Sequence, residues 1–270
     1  MAKISNEARH LYMEKAKRYK DAVDGLLLRE KNILVVIEKD PNGASYKRLI
    51  LADDMLNLSS NYGVMNSMST VMLGVKNEDA LNEARKALYK SVIYLEEIVS
   101  NLIDVPYSEY EEKLNAISSF DPARRYGMVR KLGLAIRLVE DAYGDNTKWK
   151  WAFVELEARF AAVSKNLFDL KNAVANMDMR APDYESTTYH LRLMKKLLMQ
   201  AADRYREKYE LSTNRIDDFK QAISFLGALR RIDVLTGDRD EAETVKKKAD
   251  IWMVKLEADQ RRNEETVKRP

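Results

Sequence analysis

The chain has 270 residues, of which 46% are hydrophobic and 33% are charged, with nine Gly, five Pro and no Cys. These fractions exclude an intrinsically disordered or low-complexity protein, and the length allows one large domain or two small ones. The lack of cysteine excludes disulfides and Cys-ligated metal centres, and a formal net charge of +3 does not indicate a nucleic-acid partner.

The N-terminal sequence, Met1 to His10, has no apolar segment of the kind found in secretory signals. The longest apolar run, Ile33 to Ile37, is far shorter than the roughly 18–20 residues that cross a bilayer. We therefore expect a cytoplasmic protein without a membrane-spanning helix.

Turn signals such as Pro41–Asn–Gly43 divide the chain into stretches in which apolar residues recur every three or four positions. Because no stretch alternates with period two, the pattern predicts helices and no sheet. The predicted helices, roughly nine in number, are at 6–39, 45–74, 78–103, 107–118, 122–142, 147–176, 184–210, 214–236 and 239–267.

Capping residues lie at several of these predicted starts. Ser5 or Asn6, Asn77 and Asp121 each offer a side-chain oxygen to the first turn of a helix, and Asn146–Thr147 and Thr213–Asn214 offer the same to two later helices. In the first helix, the continuous run Ile33 to Ile37 is apolar on every face, so we expect this segment to lie in the core.

Short connections between long helices favour antiparallel neighbours. The sequence thus predicts an all-α fold, either an elongated antiparallel helix bundle or a stacked array of helical hairpins. We expect one domain over 1–270, with a weak division near 177–183.

Two passages resemble tetratricopeptide hairpins. One runs from Leu229 through Gly237–Asp238 to Ala249, and the other runs from Lys76 to Leu88 with the same alanine spacing. The resemblance implies close helix pairs. The Trp, Leu-Gly and Tyr positions of that family are mostly absent, so the sequence indicates hairpins without indicating a true repeat.

Two aspartate pairs are the strongest candidates for catalysis. Asp53–Asp54 precedes Asn57, and Asp217–Asp218 precedes Gln221. This arrangement is similar to the two Asp-Asp-x-x-Asp motifs of isoprenyl diphosphate synthases, and the resemblance implies Mg²⁺ bound against a diphosphate. The third aspartate of each motif is missing here, and acidic pairs are also common in the first turns of helices.

Glu7 and His10 have the spacing of a Glu-x-x-His metal motif. A di-metal site needs a second such motif, and His190 has Thr187 at the corresponding position. We therefore expect no metal and no cofactor.

A stretch rich in Met, Ser and Gly contains Met65, Met68 and Met72. Small residues allow close helix approach, and methionines either fill gaps in a core or form adaptable binding surfaces. Two interpretations remain open: a close-packed core helix and a groove for the helix of a partner.

A basic cluster lies in the fifth predicted helix. Arg124, Arg125 and Arg130 are the members that we expect to contact an acidic partner or a phosphate, together with Lys131 and Arg137. No DNA- or RNA-binding motif accompanies the cluster.

Trp149 and Trp151 are two positions apart, so one stripe of a helix cannot bury both. Trp149 matches the buried row of its helix. Trp151 is either packed between helices or exposed for contact with a partner.

The sequence thus favours a non-enzymatic helical protein that binds other proteins as a scaffold or adaptor, or that assembles with itself. The alternatives are a magnesium-dependent enzyme that acts on a diphosphate through the aspartate pairs and, more weakly, a binder of anionic surfaces or nucleic acid.

Overall fold

The computed structural model describes residues 4–145, 147–175 and 177–267, and these contain helices and turns but no β-strand. The all-α prediction is confirmed for this part of the chain. Its ten α-helices are α1 (Asn6–Lys39), α2 (Ala44–Leu73), α3 (Glu78–Ile98), α4 (Glu111–Asn115), α5 (Pro122–Tyr143), α6 (Lys150–Leu167), α7 (Leu170–Ala175), α8 (Tyr184–Lys208), α9 (Ile216–Leu235) and α10 (Arg239–Val267). A 3₁₀ turn, Tyr107–Glu109, precedes α4, and a π-helical turn, Tyr209–Thr213, follows α8.

Three predicted caps are present. The side chains of Ser5, Asn77 and Asp121 accept hydrogen bonds from the backbone N–H groups three residues later, at 3.1, 3.0 and 2.8 Å. The other two predicted caps are not: the N-caps of α6 and α9 are Trp149 and Arg215, neither with a side-chain cap hydrogen bond, and Asn146 lies outside the described residues. At its other end, α2 stops at Gly74, whose positive φ of 67° is a conformation that other residues adopt at a cost.

Contacts among the helices group into two compact units. Unit 1 comprises Met1–Val99, Asn115–Ser119 and Gly127–Thr147, and unit 2 comprises Ser100–Leu114, Phe120–Tyr126 and Lys148–Pro270. In unit 1, α2 packs against both α1 and α3; in unit 2, α8 packs against α6 and α9, and α9 packs against α10. The single domain expected from the sequence stays a prediction.

The hairpin of α9 and α10 is the one that the alanine spacing indicated. Ala228 and Ala242 are buried in unit 2, and the connection turns at Gly237, which has a φ of 83°. Stacked aromatic rings fill the same core, where Tyr209 and Phe219 have ring centroids 4.8 Å apart. Small residues let the helices approach, and the rings occupy the remaining volume.

The prediction that the run from Ile33 to Ile37 lies in the core is wrong. Leu34, Val35 and Val36 are all exposed, and Ile33 and Ile37 are half-buried. The physical reason is the position of α1 in unit 1: its buried residues, Ala16, Val23 and Glu30, form a single narrow stripe. A helix that packs on one side leaves the other faces of an apolar run in solvent.

The helix predicted over 147–176 is shorter and interrupted, and residue 176 lies outside the described residues. It begins at Lys150 and ends at Leu167, because Phe168 is extended and Asp169 caps α7 by accepting the N–H of Asn172 at 3.0 Å. Phe168 is buried, with its ring centroid 5.1 Å from that of His190. Burial of this ring is a tertiary contact that the helical pattern does not reveal.

The helix predicted over 78–103 ends at Ile98. In unit 2, the carbonyls of Ser100 and Leu102 accept hydrogen bonds from the side-chain amide of Asn166, at 2.9 and 3.0 Å. These carbonyls are thus satisfied without a helix. The segment predicted as a helix over 107–118 contains only the 3₁₀ turn and the five residues of α4.

Among the described residues, no helix is both long and apolar enough to cross a membrane.

A buried carboxylate joins α1 to α3 in unit 1. Both oxygens of Glu30 accept hydrogen bonds from Lys90 Nζ, at 3.0 and 2.9 Å, and Oε1 also accepts one from the Tyr94 hydroxyl at 2.6 Å. Burial, and then the hydrogen bond to Glu30, raise the pKa of Tyr94, so this phenol stays protonated and donates.

Glu30→Ala is therefore expected to lower the free energy of unfolding by about 2–4 kcal/mol, because it leaves the Tyr94 hydroxyl buried without this acceptor. Glu97→Ala is the matched control. It removes an exposed carboxylate that pairs with Arg48, and we expect less than about 0.5 kcal/mol. Urea denaturation measures both values, and equal losses would contradict the structural role of Glu30.

Candidate functional site

A groove lies between α1 and α2 in unit 1, with a volume of about 650 Å³. One wall comes from α1 and the other from the C-terminal half of α2. The residues that line it are Glu14, Lys15, Arg18, Tyr19, Val64, Ser67, Met68, Val71 and Met72.

Helix periodicity explains why α2 presents apolar side chains here. Val64, Met68 and Val71 are spaced by four and three residues, so they share one face of the helix. Val71 has 85% of its surface exposed, which is the largest value among the large hydrophobic side chains of the described residues. The small Ser67 between them leaves the face open to a close neighbour.

The α2 wall carries no charge. From Met55 to Leu73 the helix has no Asp, Glu, Lys or Arg. All charged groups of the groove therefore come from α1, as Glu14, Lys15 and Arg18. In chemical terms the site is an apolar strip with a charged edge, which suits a protein side chain or helix better than a small polar substrate.

The methionines singled out in the sequence have different environments. Met65 is buried in the core, so it is not available to a partner, and its carbonyl accepts a hydrogen bond from the Tyr12 hydroxyl at 3.4 Å. Met68 and Met72 are half-buried and line the groove. Val64 and Val71, which the sequence analysis missed, lie beside them.

Trp151 is half-buried in unit 2, and the Lys150 ammonium lies 4.8 Å from the centroid of its ring. Its contact with a partner stays a prediction. Trp149, predicted to be buried, is only half-buried, because it precedes the first residue of α6. Trp252, whose burial was not predicted from the sequence, is the buried tryptophan of unit 2.

The basic cluster does not form a uniform binding surface. Arg124 is exposed and lies 3.3 Å from the Asp121 carboxylate, whereas Arg130 is exposed in unit 1. Lys131 donates to Asp53 and Asn57 at 2.6 and 3.0 Å. Arg137 pairs with Asp141 one turn later.

The expectation that Arg125 contacts an acidic partner or a phosphate does not fit the structure, because this side chain is buried and only 5% exposed. Its guanidinium donates hydrogen bonds to the carbonyls of Phe120, Leu167 and Leu114, at 2.7, 3.3 and 3.5 Å. The carbonyl of Leu167 is at the C-terminus of α6, where helical carbonyls lack partners and favour a cation. Arg125 thus has a structural role in unit 2.

The two aspartate pairs belong to different units. Cations lie beside Asp53, Asp54 and Asp218, whereas Asp217 is exposed. In unit 1, Asp53 accepts from Lys131, and Arg29 Nε is 3.2 Å from the buried Asp54. Asn57, at the position of the missing third aspartate, binds the same lysine through its carbonyl oxygen. Burial, opposed by Arg29, raises the pKa of Asp54.

In unit 2, Asp218 accepts hydrogen bonds from Lys208 and Thr213, at 2.9 and 2.7 Å. Within the residues that the structure describes, no three His, Asp or Glu side chains are placed to hold a metal ion. Cations of the chain already neutralise Asp53, Asp54 and Asp218, so the geometry gives no support to a magnesium site at either aspartate pair.

His190 is buried in unit 2, and its Nε2 lies 3.0 Å from the carbonyl of Ser164. Burial lowers its pKa to about 4, so the neutral ring donates this hydrogen bond at pH 7. The other histidine, His10, is exposed in the first turns of α1 beside Glu7, also exposed.

Lys165 is a buried cation that the sequence analysis missed. Its ammonium donates to Asn166 Oδ1 at 3.0 Å and lies 5.0 Å from the centroid of the Tyr110 ring. Burial lowers the pKa of this lysine to about 8. The helical pattern gives no signal for it, because a lysine on the last turn of a helix is usually solvated.

The TP0443 family matches residues 8–260 of the chain. The chain belongs to this family. No curated protein and no solved structure matches it. The matched range includes every residue that lines the groove, and the name of the TP0443 family states no activity.

Proposed function

We propose that this member of the TP0443 family is a non-enzymatic helical protein that binds another protein in the groove between α1 and α2. The observation that carries the proposal is Val71, 85% exposed on a helical face without any charge. An exposed apolar surface of this kind is typical of an interaction site, since burying it against a partner removes it from water.

The spacing of the apolar residues supports a helical ligand. Side chains at 64, 68 and 71 follow the four-three spacing by which one helix packs against another. Met68 and Met72 add flexible side chains that adapt to the shape of a ligand. The length of this strip, at 1.5 Å per residue, is about 12 Å, which matches two to three turns of a bound helix.

Val71→Asp is expected to leave the free energy of unfolding within about 0.5 kcal/mol of the parent value, because position 71 is exposed. The same change is expected to abolish binding, since it places a charge in the interface. Ile251→Asp is the matched control: Ile251 is a β-branched residue of unit 2 that is 69% exposed, and we expect it to retain binding.

The test is site-specific photo-crosslinking in native cell extract, with a benzophenone side chain at position 71 or at position 251. We expect a discrete protein adduct from position 71 that disappears when Met68→Asp is added, and no such adduct from position 251. Identical adducts from both positions, or none from position 71, would contradict the proposal.

The cytoplasmic location expected from the sequence stays a prediction, and cell fractionation would test it.

Assembly of the chain with itself also stays open as the other form of protein binding. Sedimentation of the parent protein and of Val71→Asp distinguishes it, because a dimer formed through the groove would dissociate in the variant.

A further inference from the structure

The charges of the groove are distributed unequally between its two walls. The α2 wall has none, while α1 contributes Lys15 and Arg18 against a single acidic residue, Glu14. Within the described part of the chain, no carboxylate is within ion-pair distance of either cation, although Glu14 is only one turn before Arg18. The edge of the groove is thus positively charged, and no described residue of this chain supplies it with a negative partner.

Arg18 is also held in place at this edge. Its guanidinium carbon lies 4.6 Å from the centroid of the Tyr19 ring, and Nη2 donates a hydrogen bond to the Tyr19 hydroxyl at 2.5 Å. A guanidinium stacked on an aromatic ring loses less side-chain entropy when it binds a carboxylate. Lys15 is three residues earlier, so the two cations lie on the same side of α1.

We infer that the occupant of the groove is an amphipathic helix of another protein, whose apolar face packs on Val64, Met68 and Val71 and whose acidic edge meets Lys15 and Arg18. This inference rests on the proposed function and adds the chemistry of the partner. The apolar strip supplies affinity, and the acidic edge supplies orientation and selectivity.

Two copies of the chain that meet groove to groove fit each other poorly. If two copies met through the same groove, each would bring Lys15 and Arg18 to an interface whose α2 walls offer no carboxylate. Two like-charged edges would then face one another with only Glu14 as compensation, and such arrangements disfavour a complex.

The inference is tested with three synthetic helical peptides of about 14 residues, which share one leucine stripe and carry Glu, Gln or Lys along one edge. Fluorescence anisotropy measures their affinity for the full chain at low and high salt. We expect the Glu peptide to bind about tenfold more tightly than the Lys peptide, with the Gln peptide between them and the difference shrinking in high salt.

The double variant Lys15→Glu/Arg18→Glu is expected to reverse this order, and because both residues are exposed it should unfold at the same urea concentration as the parent. Equal affinity of the Glu and Gln peptides, with Val71→Asp still abolishing binding, would overturn the inference that the partner helix has an acidic edge. That result would leave the proposed function intact. Binding by none of the peptides, or binding unaffected by Val71→Asp, would overturn both. A dimer that Val71→Asp dissociates would identify a second copy as the occupant and overturn the inference.

Discussion

Replacing Arg125 with alanine is expected to lower the free energy of unfolding by about 3–5 kcal/mol. The guanidinium is buried and donates to the carbonyls of Phe120, Leu167 and Leu114, so its removal leaves these acceptors without a charged donor and opens a cavity. Losses of this size are large for a single substitution, and cavities and broken buried hydrogen-bond networks are among their causes.

The neighbouring Arg124 offers a matched control. It has the same side chain in the same turn of α5, but it is exposed, and among the residues that the structure describes its ion pair is with Asp121. We expect Arg124→Ala to change the free energy of unfolding by less than about 0.5 kcal/mol. Arg125→Met, which keeps most of the packing, should still lose at least about 2 kcal/mol if the hydrogen bonds matter. Equal effects of the two alanine variants in urea denaturation would contradict the structural role.

Lys165 is expected to destabilise the folded chain at neutral pH. Burial lowers its pKa from 10.5 to about 8, so the unfolded state binds the proton more tightly than the folded state. The penalty is fully present below the folded-state pKa of about 8 and falls as the pH rises toward 10.5, where the folded state is deprotonated and the unfolded state is half protonated. A pKa difference of this size corresponds to about 3 kcal/mol in the free energy of unfolding.

Lys165→Met removes this titration. The variant also loses the hydrogen bond to Asn166, so its stability at a single pH mixes two effects. The stability of the parent relative to the variant should therefore be measured by urea denaturation from pH 7 to pH 10.5, and we expect it to rise by about 3 kcal/mol. A difference that stays constant over this range would contradict the burial of a protonated lysine.

Local sequence signals predicted the positions of most helices, because the hydrogen bonds that begin a helix join residues only a few positions apart. Ser5, Asn77 and Asp121 cap their helices through hydrogen bonds to residues three positions later, and such spacing is readable in the chain. The failures have distant causes. Phe168 leaves the helix to pack against His190, and Asn166 satisfies the carbonyls of Ser100 and Leu102.

The candidate site could be predicted only in part. The composition of α2 indicated either a core helix or a groove for the helix of a partner. Met65 belongs to the core, while Met68 and Met72 line a groove, and the binding of a partner there stays a proposal. The sequence did not reveal which face α1 covers, so Val64 and Val71 were missed. The burial of Arg125 beside the exposed Arg124 likewise depends on carbonyls up to 42 residues away along the chain.

Methyl NMR of the full chain mixed with the Glu-edged peptide tests the central claim most directly. If the groove binds a helix, the methyl signals of Val64, Met68 and Val71 should shift with saturating dependence on peptide concentration, and those of Ile251 and Val254 in unit 2 should stay unchanged. Shifts concentrated at Ile251 and Val254, or no shifts at the groove residues under saturating peptide, would contradict it.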